Sequence, residues 1–158
     1  MNKFVKILLL VALCLGLGYV SEQITQSSVN NWYPTLIKPS FNPPNWAFPV
    51  AWTTLFILMG ISAGLVWAQI QSKPQEVKKA LLFFSIQLIL NMLWSILFFG
   101  LRNPMLALIE IVLLWFVIYE TFLIFNRVSA TAGYLLVPYL IWVGFAAILN
   151  ASIVYLNP

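Results

Sequence analysis

The sequence predicts an all-α integral membrane protein, a bundle of five transmembrane helices with a long structured loop between the first two. Three observations predict this. The chain of 158 residues is 62% apolar and 8% charged, far from the roughly 45–50% and 25% of soluble domains. It contains five apolar runs, each close to or above the length of about 20 residues that a helix needs to cross a bilayer core of about 30 Å. Between the first two runs lies WYPTLIKPSFNPPNWAFPVAW, Trp32 to Trp52, with three of the seven tryptophans and five of the nine prolines. The length fits one domain, 1–158.

The elements follow in order. Lys3 and Lys6 precede the first apolar run, and a helix is expected over 4–20. With Gly16-Leu17-Gly18 this run also fits a secretory signal, although Leu13 before Cys14 is unsuited to lipoprotein cleavage. Residues 21–45 are expected as the loop, because proline lacks the N–H and clashes with the preceding turn. The segment has too many bulky rings for a disordered tether. Further helices are expected over 46–70, 80–101, 104–125 and 130–156, separated by QSKPQEVKK, Arg102–Asn103 and Asn126–Ser129. Only helices or closed barrels satisfy the backbone in lipid, and these continuous runs lack the alternation of barrel strands. Gly60-Ile61-Ser62-Ala63-Gly64 is a step of small residues that allows close helix approach, within the bundle or in a dimer.

Charge sets an orientation. Lys3, Lys6, Lys73, Lys78, Lys79 and Arg127 fall on one side of the five spans, Lys38 and Arg102 on the other. The positive-inside bias then puts the N-terminus in the cytoplasm, and the first loop and C-terminus outside. The net charge of +4 is spread along the chain, which argues against nucleic acid, a partner of clustered basic faces. There is no histidine and one cysteine. That excludes histidine-ligated metal or haem, an intrachain disulfide and any Ser-His or Cys-His catalytic pair. No metal site is expected, and Cys14 in its apolar run reads as a packing residue.

Tryptophan normally sits at the headgroup level, as Trp46 and Trp67 do at the ends of the second run. Trp52 lies about 9 Å further in, and Trp94 about 10 Å inside its run, at 1.5 Å per residue. Gln87, Asn91 and Trp94 share one helix face. Tyr139, Trp142, Ala146 and Asn150 share another. Two faces of aromatics and carboxamides below an aromatic loop fit a small-molecule pocket; the same carboxamides also fit interhelical hydrogen bonding. Glu110 sits about 9 Å inside the fourth run. A carboxylate there needs a partner, a proton or a place facing the bundle, and Arg102 is two turns away.

WY-x2-L-x-KP-S-F-x-PP-x-W, followed by AWT-x-LF-x2-MG, resembles the signature of the translocator protein family (TspO/MBR), whose bacterial members are the tryptophan-rich sensory proteins. The resemblance continues through Gln87–Gly100 and Val137–Asn150. It implies a five-helix bundle in a bacterial cytoplasmic membrane that binds porphyrins, sterols and drug-like molecules in a pocket closed by the first loop. By position, that pocket would include Tyr33, Pro43, Pro44, Trp46, Trp52, Asn91, Trp94, Trp142 and Ala146. The resemblance also implies a homodimer. It associates Trp52 and Trp142 with light-dependent degradation of protoporphyrin IX, which would make them catalytic if that chemistry is real. One departure concerns the tail: no basic residue follows Tyr155, which argues against high-affinity sterol binding through a C-terminal cholesterol motif.

Three functions follow as expectations. The leading one is a sensor or regulator that binds protoporphyrin IX as a ligand, with no resident cofactor. Its indoles would stack on the macrocycle, and Lys38, Asn91 and Arg102 would receive the propionates. The others are photo-oxidative breakdown of the porphyrin, and a small-solute transporter using Glu110. The absence of repeats weighs against the transporter.

Overall fold

The computed structural model describes residues 1–158. Its helices are α1 (Lys3–Asn31), α2 (Ala47–Trp67), α3 (Pro74–Ser95), α4 (Pro104–Val128), α5 (Ala130–Leu135) and α6 (Val137–Leu156). Five continuous stretches are long and apolar enough to cross a membrane: Lys3–Asn31, Ala47–Trp67, Pro74–Gly100, Pro104–Val128 and Ala130–Leu156. The all-α, five-span architecture is therefore the one the sequence predicts.

The ends of the helices differ from expectation, for one main reason: polarity marks where a helix leaves the hydrocarbon, not where it stops. α1 was expected over 4–20 and runs to Asn31. At 29 residues it is about 44 Å long, longer than a bilayer core of about 30 Å. Nothing in Ser21–Asn31 breaks a helix, since the segment has neither proline nor glycine. The loop expected over 21–45 is correspondingly shorter. It begins at Trp32, whose N–H donates to the Ser28 carbonyl, and continues into a 3-10 turn over Tyr33–Thr35 with Pro34 in it.

The same reasoning applies to α3. It starts at Pro74 rather than residue 80, with proline at the helix start and Glu76 in the first turn, both favoured at an N-terminus. Its last turn, Ile96–Gly100, is a wider π turn in which the Leu101 N–H reaches the Ile96 carbonyl at 2.8 Å. The final span is not one helix. It breaks at Leu136, ahead of Pro138, because proline removes an N–H and crowds the carbonyl four residues back.

α1 lies along α2 through the two glycines of α2. A Cβ on Gly60 would overlap the Val11 backbone, and one on Gly64 would come within 2.6 Å of the Ile7 Cα. The small-residue step is thus consumed inside the bundle and holds α1. Ser62 donates to the Ala132 carbonyl at 2.6 Å, tying α2 to α5. The main core gathers Met59, Ala63, Val66, Val77, Ile118 and Phe125, while a smaller one at the loop end joins Tyr33, Phe98, Ala107, Leu149 and Ile153.

Candidate ligand-binding cavity

At the loop end the bundle does not close. A cavity of about 640 Å³ opens between α1, α2, α3 and α6, inside the roughly 300–1,000 Å³ range of small-molecule sites. α4 contributes no lining residue.

One wall is aromatic. Trp52 from α2 and Trp142 from α6 meet edge to face, with centroids 6.5 Å apart and planes at 90°. Phe48 stands 6.2 Å from Trp142, and Phe145 stands 5.7 Å from it on the other side. Trp94 completes this wall from α3, stacked on Phe98 at 5.1 Å.

The indole N–H groups divide into two kinds. Trp94 donates to Asn150 Oδ1 at 3.0 Å, and Trp115 donates to the Leu140 carbonyl at 3.1 Å; both serve packing. Trp52 and Trp142 line the cavity, and neither N–H is sealed in the protein without a partner; the only sealed, unpaired side-chain atoms are the two oxygens of Glu110.

The carboxamides bond across helices as well as facing the cavity. Asn91 Nδ2 donates to the Tyr139 hydroxyl at 2.8 Å, and that hydroxyl donates to Gln87 Oε1 at 2.7 Å. Asn150 accepts from Trp94 and donates to the Pro104 carbonyl at 2.9 Å. Gln87, deep and fully buried, belongs to the network alone. Asn91 and Asn150 belong to both.

Of the residues expected at the site, the fold brings Tyr33, Trp52, Asn91, Trp94, Trp142 and Ala146 together around the cavity. Pro43, Pro44 and Trp46 do not line it. The two prolines lie in the loop, and Trp46, 69% exposed at the N-cap of α2, has the outward placement of a headgroup-level tryptophan. Sequence reasoning missed the opposite wall. Ser21, Glu22, Thr25, Gln26 and Asn30 of α1 all line the cavity, in a region expected to be loop. Their spacing of three to four residues was the available sign of a helical face.

The loop is fastened over this end by several contacts. Asn157, just beyond α6, accepts from the Ile37 N–H at 2.9 Å and donates to the Ile37 carbonyl at 2.8 Å. Phe41 packs edge-on against Phe145 at 6.2 Å. Tyr33 donates to Asn42 Oδ1 at 3.1 Å, and burial pushes its phenol above the ordinary value, partly offset by that bond.

The expected propionate partners are engaged elsewhere. The Lys38 ammonium sits 4.6 Å over the Tyr33 ring and donates to the Leu36 carbonyl at 3.2 Å. Arg102, at φ 51°, donates to Ser28 Oγ at 3.3 Å. Neither lines the cavity. Arg102 therefore does not pair with Glu110, whose two carboxyl oxygens are buried without any partner. Glu110 lies on the buried face of α4, away from the cavity lining.

Comparison with known proteins points one way. The sequence profile of the TspO/MBR family matches residues 10–156. The tryptophan-rich protein TspO of Chlorobaculum tepidum is 47% identical over the full length of both chains. Protein CrtK of Rhodobacter capsulatus is 44% identical over 80% of this chain and 79% of its own. The pig translocator protein is 37% identical over 84% of this chain and 79% of its own.

Proposed function

The chain belongs to the TspO/MBR family of integral membrane proteins, and on that premise we propose that it is a sensor-type receptor for tetrapyrroles, with protoporphyrin IX as the ligand. The observation that carries this reading is the aromatic wall of Trp52 and Trp142, two indoles 6.5 Å apart that line a cavity of about 640 Å³. A macrocycle is a large apolar plate. Aromatic pairs contribute about 0.5–1.5 kcal/mol each beyond the area they bury. The loop and α1 frame the same cavity, so an occupant would bear directly on both. That gives the membrane face a ligand-dependent surface, which is what sensing or regulated porphyrin handling requires. With no histidine in the chain, the metal-free porphyrin is the form proposed.

The same resemblance supports a homodimer in a bacterial cytoplasmic membrane, and the excess of lysine and arginine on one side of the spans supports a cytoplasmic N-terminus with the loop outside. A second reading, photo-oxidative breakdown of the bound porphyrin, is favoured by two indoles 6.5 Å apart on one wall, where an excited macrocycle would meet an electron-rich ring. Proton-linked transport through Glu110 has no such support, since that residue is off the cavity.

The test is a titration of detergent-purified protein with protoporphyrin IX in the dark, followed by tryptophan fluorescence. Saturable quenching at one porphyrin per chain is expected. Linear quenching that tracks detergent concentration would mean partitioning into micelles and would overturn the reading.

A further inference from the structure

The cavity has two unlike walls, and the charge on them is one-sided. Besides the indoles of α2 and α6, the lining includes Ser21, Glu22, Thr25, Gln26 and Asn30 of α1. Among all the residues lining the cavity there is no lysine, arginine or aspartate, and Glu22 is the one carboxylate. The two cations expected at this end of the bundle are committed: Lys38 to the Tyr33 ring and the Leu36 carbonyl, Arg102 to Ser28. Glu22 itself is solvent-exposed and makes no side-chain hydrogen bond that would tie it down. It lies just beyond the apolar run of α1.

We infer that Glu22 sets the charge the cavity accepts: planar apolar ligands presenting a neutral or cationic edge to α1, with ionised carboxylates held away from that wall. The inference takes the cavity as a ligand site, as proposed above, and adds the polarity of its occupant. For a porphyrin it fixes an orientation. The macrocycle lies against Trp52 and Trp142, its propionates turn from α1 towards the cavity mouth, and the vinyl edge faces Glu22. It also extends the ligand class to planar aromatic cations, for which the acid on α1 is a counter-charge and the amides beside it are acceptors.

The experiment compares wild type with Glu22→Gln and Glu22→Lys, full-length in neutral detergent, using three probes in the dark: protoporphyrin IX, its dimethyl ester, and the planar cationic dye rhodamine 6G. Charges about 9 Å apart in a half-hydrated site change affinity by about fivefold. Glu22→Gln is therefore expected to tighten the free acid by about fivefold, leave the ester within about twofold, and weaken the dye by about fivefold. Glu22→Lys should widen the effects on the free acid and the dye and still leave the ester within about twofold. Because Glu22 is exposed, folding is not at risk, and an unchanged helical spectrum confirms it. If the three probes respond alike to both substitutions, the inference is overturned while saturable porphyrin binding still upholds the tetrapyrrole reading. If the dye depends on Glu22 but neither porphyrin saturates, the charge rule holds and the tetrapyrrole reading falls.

Discussion

Replacing Trp52 and Trp142 together with leucine is expected to weaken protoporphyrin binding at least about 100-fold while leaving the helical fold in place. Leucine keeps an apolar group against Phe56 and Phe145, which pack on the two indoles, but removes both flat faces and both N–H donors. Each lost face removes about 0.5–1.5 kcal/mol of ring pairing. A further ~1 kcal/mol per site comes from about 40 Å² of apolar contact at roughly 25 cal/mol per Å². At 1.4 kcal/mol per decade, the two sites sum to at least about two decades. The readout must be the porphyrin's own absorbance, because the variant has lost two of its reporters. Retained affinity in a folded variant would place the ligand elsewhere.

The second large effect lies far from the indoles. Gly60→Leu is expected to lower stability by about 3 kcal/mol, the upper part of the usual cost of overpacking, which corresponds to about 10 °C in melting temperature for a chain of this size. The reason is that the Cβ meets the Val11 backbone rather than the tip of a side chain. α1 must move as a whole, and α1 carries the polar wall of the cavity, so porphyrin affinity should fall as well. Gly16→Leu is the matched control: a Cβ there has nothing within 4 Å. If both variants melt with the wild type, α1 is not held by the glycine step.

Much of this was legible in the sequence, and the gaps have physical causes. Hydropathy located the five spans because lipid demands apolar side chains over a fixed depth. It misplaced the end of α1 and the start of α3 because helices continue into the headgroup layer, where polar residues are welcome. The split at Leu136 was readable from Pro138 alone. The site was legible where a large aromatic and its neighbours at helical spacing mark one face, as with Trp142 and Ala146. It was not legible where a residue's role depends on its tertiary neighbours. Lys38 and Arg102 had the right charge at the right end, yet the fold turns one onto Tyr33 and the other onto Ser28. Asn150 showed a polar position, but not that its amide would be divided between Trp94 and the Pro104 carbonyl. Glu22 was hidden by the expectation of a loop.

Ala146 offers the most direct test of the central claim that a planar ligand occupies this cavity. It lines the cavity one helical turn from Trp142, so Ala146→Phe places a ring in the space the macrocycle would take while both indoles are kept. The measurement is the protoporphyrin dissociation constant of Ala146→Phe beside wild type, with melting temperature recorded on the same samples. The cavity assignment predicts at least about a tenfold loss of affinity, roughly 1.4 kcal/mol, with the melting temperature held. Undiminished binding by a normally melting Ala146→Phe protein would contradict it.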